Sequence, residues 1–156
     1  MSEATPAMAR LEIHKGPDSE LCAGGVRFVA CRREVGTIDG GITLYLWSEA
    51  RPEVELIRMD LFRNRPHYHA PAENQQETEI EPGGEDVVAW GVQTVTRRTA
   101  QLAREAGYPD LAADLDAGAL AQAEGALASM LEKLGEPNEV SYFEVPQAVL
   151  DGLAPN

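Results

Sequence analysis

Two of the three histidines, His67 and His69, stand two residues apart in a run that also holds Arg58, Asp60, Arg63, Arg65, Tyr68 and Glu73. In an extended chain, side chains two residues apart project to the same side, so the two imidazoles can converge while Tyr68 points away. That pairing suits two chemistries. In the first, a neutral imidazole acts as acid or base near neutral pH, Asp60 orients it, and Tyr68 donates a hydrogen bond. Arg58, Arg63 and Arg65 then hold the carboxylate or phosphate of a small anionic molecule. In the second, His67 and His69 chelate a divalent metal, with Glu73 or Asp60 as the third ligand and positions left open for water or substrate.

The spacing of His67, His69 and Glu73 resembles the ligand core of the first cupin motif, His-x-His followed after three or four residues by Glu. The resemblance implies a β-barrel holding a metal on these three residues. It covers seven residues, and the surrounding sequence departs from the pattern. Leu61 and Ile80 stand where the motif has glycine, no histidine follows His69, and the C-terminal half reads as helical. The chain is therefore read outside that family.

Other catalytic signatures are missing. Cys31 and Ser48 lack the surroundings of a nucleophile, and the Gly-Gly pairs at 24–25, 40–41 and 83–84 lack the spacing of a phosphate-cradling loop. Whether the protein is an enzyme is left open. In the alternative, Asp60 caps backbone amides of a turn, the histidines are partly exposed, and the protein is a non-enzymatic interaction or assembly module, such as a homodimer or a subunit of a larger complex.

The charge distribution bears on this choice. The net charge is −13, which argues against nucleic acid as the main partner, since phosphate neutralisation needs a basic face. Residues 1–69 carry 9 Lys+Arg against 10 Asp+Glu, whereas residues 70–156 carry 4 against 16. Seven arginines fall between positions 27 and 65. Either they pair with Glu34, Glu53 and Glu55 at solvated strand ends, or they rim a pocket that attracts an anion.

With 44% hydrophobic residues, no apolar run of membrane-spanning length and no secretory leader, a cytoplasmic protein without membrane contact is expected. Cys22 and Cys31 are expected to be reduced thiols.

The elements that must position these residues follow from periodicity. Residues 1–9 read as a disordered lead-in and 10–153 as a single α+β domain. Apolar alternation marks strands near 11–14, 26–35, 42–47, 54–62 and 140–145, with a weak edge strand near 76–80. Residues 36–41 supply the turn of a hairpin. The alternation slips within 54–62, and a bulge near Leu56 and Ile57 would put Arg58, Asp60 and Phe62 opposite the apolar set. Val88, Val92, Val95, Thr99, Leu102 and Ala106 form one helical stripe, and Leu120, Ala123, Leu127, Met130, Leu131 and Leu134 a second. The expected architecture is an antiparallel β-meander of four to five strands with two main C-terminal helices packed on one face.

Overall fold

A computed structural model of the chain describes residues 7–153. Eight strands and six helices follow in the order β1 (Met8–Lys15), β2 (Ser19–Ala23), β3 (Val26–Val35), β4 (Asp39–Ser48), β5 (Glu55–Phe62), β6 (His67–His69), β7 (Thr78–Glu79), α1 (Val87–Arg97), α2 (Thr99–Glu105), α3 (Pro109–Ala113), α4 (Ala117–Gln122), α5 (Glu124–Glu132), β8 (Glu139–Pro146) and α6 (Gln147–Leu153). The protein is thus α+β, with one antiparallel sheet in the order β7-β6-β5-β4-β3-β1-β8. From β3 to β7 it is a simple meander. β2 and β1 share one edge of β3, β2 pairing with its first half and β1 with its last three residues.

The strand alternation has its expected consequence. Leu44, Leu46, Ile57, Met59 and Leu61 point to one face and are buried with Val92, Val95, Leu102, Leu120, Leu127 and Leu131 of the helices. A bulge reconciles the two parities of β5: Leu46 pairs with Ile57 but Trp47 with Glu55, so Leu56 is the extra residue. Without it Arg58 and Asp60 would fall on the helix-covered face.

Each long helical stripe is broken into two segments. Between α1 and α2, the hydroxyls of Thr94, Thr96 and Thr99 donate to the carbonyls of Trp90, Val92 and Val95 one turn back. Such bonds compete with the helix ladder and bend it. Asp86 caps α1 and Asp116 caps α4, each carboxylate accepting from an amide three residues on. Trp90 packs against the core.

β1 begins at Met8, so Met8 and Ala9 belong to a strand and not to the expected lead-in; residues 1–6 lie outside the described residues. Cys22 and Cys31 are free thiols, the first exposed and the second buried. Among the described residues no helix is long and apolar enough to cross a membrane.

Candidate functional site

The face of the sheet opposite the helices carries the polar residues in register. Across β3, β4, β5 and β6, Cys31, Thr43, Asp60 and His67 form one rung; Val29, Tyr45, Arg58 and His69 form the next. On the other side of Thr43 the rung is Arg33, Gly41 and Phe62. Gly41 lacks a side chain, so the Arg33 guanidinium can reach Thr43 Oγ1 at 3.4 Å and Asp60 Oδ1 at 3.7 Å.

Asp60 is the hub, with 1% of its surface exposed. Thr43 Oγ1 donates to Oδ1 at 2.8 Å, Arg58 Nη2 donates to Oδ2 at 3.2 Å, and His67 Nε2 lies 3.0 Å from Oδ2. Burial alone would raise the carboxyl pKa. The His67 hydrogen bond, the Arg58 charge and the Thr43 hydroxyl outweigh it and lower the pKa from 3.8 to about 2. Asp60 is therefore a carboxylate throughout the physiological range.

His67 sits between acceptors. Its Nδ1 faces the Arg65 carbonyl at 2.8 Å, and its Nε2 faces Asp60 and, at 3.5 Å, Glu77 Oε1. Only the doubly protonated ring donates on both sides. Burial opposes that charge, but the Asp60 bond, the Arg65 carbonyl and the carboxylates of Asp60 and Glu77 raise the pKa above 6.5. In His69 the Nδ1–H donates to the Asn74 carbonyl at 2.6 Å, which leaves Nε2 as acceptor toward Arg58 Nη2 at 3.4 Å. The two rings stand edge to face, 5.1 Å between centroids.

The turn between β5 and β6 is fastened from the neighbouring turn. Asp39 Oδ1 accepts from the amides of Gly40 and Asn64, and Oδ2 from that of Arg65. Asp39 thus takes the amide-capping role that sequence reasoning had assigned, as the alternative, to Asp60. The loop after β6 braces itself in the same manner: the Asn74 amide donates to the Pro71 carbonyl, and its side-chain NH2 to that of Ala70. This holds the carbonyl that receives the His69 proton.

A cavity of about 160 Å³ opens beside these rungs, lined by Arg33, Arg58 and Arg65, by Asp39, Asp60, His67 and Glu77, and by the apolar Val35, Ile38 and Phe62. With His67 protonated, four cationic groups face three carboxylates there.

Several site residues expected from sequence are placed elsewhere. Tyr68 projects to the helix side, as β alternation requires, and its hydroxyl donates to Glu105 at 2.7 Å. Burial and that neighbouring carboxylate push its pKa up to about 12. It is therefore not a hydrogen-bond donor to this site. Arg63 is engaged with Glu34 through two short bonds and does not line the cavity. Glu73 is exposed and does not join the histidines; the residues that do converge are Asp60, His67 and His69, one ligand atom from each lying within 4.8 Å of the others. The cupin-like spacing of Glu73 thus has no counterpart in space, because the chain turns away after His69.

Arg33, Thr43, Tyr45, Asp39 and Glu77 were not singled out from sequence. Thr43 and Tyr45 do share the polar parity of their strand. Aligning that parity with Arg58 and Asp60 across the β4–β5 pairing would have found them. Tyr45 is opposite Arg58, and its burial raises its pKa despite the facing Arg33 and Arg58.

Neither a curated protein nor a solved structure matches this chain significantly. One family model matches residues 20–131, a span that contains every residue of the cavity and leaves β1, β8 and α6 outside. The chain belongs to that family, a domain of unknown function designated DUF7700.

Proposed function

We propose that the protein binds a small carboxylate- or phosphate-bearing molecule in the cavity on the polar face of the sheet. The observation that carries this is the convergence of three guanidinium groups, from Arg33, Arg58 and Arg65, with the His67 ring on one small cavity. A cavity of this volume suits a molecule of about benzene size, since an engineered one of ~150 Å³ holds benzene. Val35, Ile38 and Phe62 would pack its carbon skeleton. Arg58 Nε is buried without a hydrogen-bond partner among the described residues, so this guanidinium keeps bonding capacity for a ligand. Arginine is suited to the task because its planar fork matches both oxygens of a carboxylate or phosphate.

Asp60 and His67 add a proton to this pocket. The carboxylate holds the ring in its protonated form, so an imidazolium charge faces a bound anion even though both of its N–H groups already have acceptors. The test is thermal stabilisation by a panel of small carboxylates and phosphates at constant ionic strength. Particular members raise the melting temperature, and Arg65→Ala removes the effect. Equal response to every anion, chloride included, would refute the reading.

A second reading, assembly into a homodimer, is favoured by β8. This strand ends the sheet, and Tyr142 and Phe143 are more than half exposed. Among the described residues, residues 8–11 of β1 have β8 as their one strand partner, because the register with β3 starts at Ile13. A two-stranded ribbon is marginal in water, and an open apolar edge invites pairing with a second copy. A solution mass of twice 16.9 kDa that falls to one chain in Phe143→Asp would support it. A monomeric mass at high concentration would remove it.

A further inference from the structure

We infer that Asp60, His67 and His69 form a binding site for one divalent first-row transition-metal ion, and that the Arg58 guanidinium occupies the lone pairs of Asp60 and His69 when the metal is absent. The inference goes beyond the anion pocket and does not depend on it.

The first argument is the orientation of the rings. Both histidines donate a hydrogen bond from Nδ1–H to a backbone carbonyl, His67 to Arg65 at 2.8 Å and His69 to Asn74 at 2.6 Å. An outer hydrogen bond of this kind fixes ring orientation and tautomer in metal sites and leaves Nε2 as the ligand atom. At His69 it does so outright; at His67 the Nε2 proton shared with Asp60 must be released when the metal binds. The Nε2 of His67 then lies 3.0 Å from Asp60 Oδ2. Adjacent ligands around an ion with bonds of about 2.1 Å are roughly 3.0 Å apart at right angles and roughly 3.4 Å apart at the tetrahedral angle. This pair thus already has ligand spacing, and the three atoms, within 4.8 Å of one another, close on an ion by a small shift.

The second argument is rigidity. Asp60 and His67 are directly paired across β5 and β6, and His69 is two residues along the same strand. Such adjacent strand positions hold three ligands more tightly than loops would. Thr43 donates to the oxygen of Asp60 that the metal would not need.

The third argument is the placement of Arg58. Its Nη2 lies 3.2 Å from Asp60 Oδ2 and 3.4 Å from His69 Nε2, so one cationic group already sits against two of the three ligand atoms. At 36% exposure the Arg58 side chain has room to leave. Two imidazole nitrogens and one carboxylate oxygen favour zinc, iron, nickel or copper over magnesium and calcium, and three protein ligands leave positions open toward the cavity.

The probes are Co2+, read by its visible absorption, and Zn2+, read by calorimetry, on chelator-treated full-length protein. One ion binds per chain, and His69→Ala and His69→Gln each weaken binding by at least about 100-fold. Arg58→Met strengthens it, because the competing cation is gone. In wild-type protein Zn2+ shifts the ring-nitrogen resonances of His67 and His69 but not of His14, a readout that needs no variant. The absence of Zn2+ and Co2+ binding at millimolar metal, undiminished binding in both His69 variants, or a shift confined to His14 would overturn the proposal. Arg65→Ala separates the two readings: it removes anion stabilisation while metal affinity stays the same. Loss of one property therefore never mimics loss of the other.

Discussion

Replacing Asp60 by Asn tests whether this carboxylate is held ionised by its neighbours. The fall in pKa from 3.8 to about 2 corresponds to roughly 2–3 kcal/mol of stability at about 1.36 kcal/mol per unit. The general cost of breaking a buried ion pair, about 3–5 kcal/mol, would be larger. The partner guanidinium groups are 22% and 36% exposed, so solvent screens them and the lower range applies. The sign follows from the direction of the shift. A depressed carboxyl pKa gives stability that is present above pH 3.8 and is lost as pH falls through about 2. In metal-free buffer, urea unfolding should therefore show Asp60→Asn less stable than wild type by roughly 2–3 kcal/mol at pH 7. The gap should narrow as pH drops from about 4 toward 2, because wild type then loses what the variant never had. The His67 pKa, followed by NMR, should fall in the variant, since the Asp60 bond is a main cause that raises it. A gap below about 0.5 kcal/mol that does not change with pH would refute the reasoning.

Four further outcomes follow from the same geometry. His67→Gln should remove a stabilising contribution that is complete below pH 6.5 and fades as pH rises through the elevated pKa of the ring, measured by unfolding at pH 6 and pH 9. Tyr68→Phe should leave anion and metal binding unchanged and cost about 1 kcal/mol at most, because it loses only the Glu105 bond on the opposite face. Gly41→Ala should destabilise by more than about 2 kcal/mol in denaturant titration, since an added Cβ would lie against the Leu61 carbonyl oxygen at φ 151°. Leu127→Ala, fully buried beneath the sheet, should cost roughly 2–5 kcal/mol and leave binding intact.

Local patterns determined much of this protein. Alternation marked β3, β4 and β5 of the meander and β7 weakly, whereas β2 and the three-residue β6 are too short to show a period. The parity slip in β5 located a bulge near Leu56 and Ile57, because a strand cannot bury both on one face without an extra residue, and the register with β4 makes Leu56 that residue. Helical spacing marked both stripes, and the two-residue separation of His67 and His69 was enough to put their rings on one side. Period alone missed the breaks at Arg98 and Ala123, since the threonine hydroxyls that bend the first stripe act through bonds that spacing does not encode.

Membership of the site was a different matter, and only the tertiary structure decided it. Seven arginines crowd one half of the chain, yet composition cannot sort them. Arg51 and Arg63 pair with Glu53 and Glu34 away from the cavity, while Arg33 and Arg58 line it beside Asp60 and Arg65 beside Glu77. Thr43 and Arg33 reach Asp60 from 17 and 27 positions away because antiparallel register brings three strands together. Glu73, only four residues from His69, stays apart because the chain turns. Neighbourhood along a chain fixes which side of a strand a residue faces; what it faces there is set by pairing between strands, which no single segment contains.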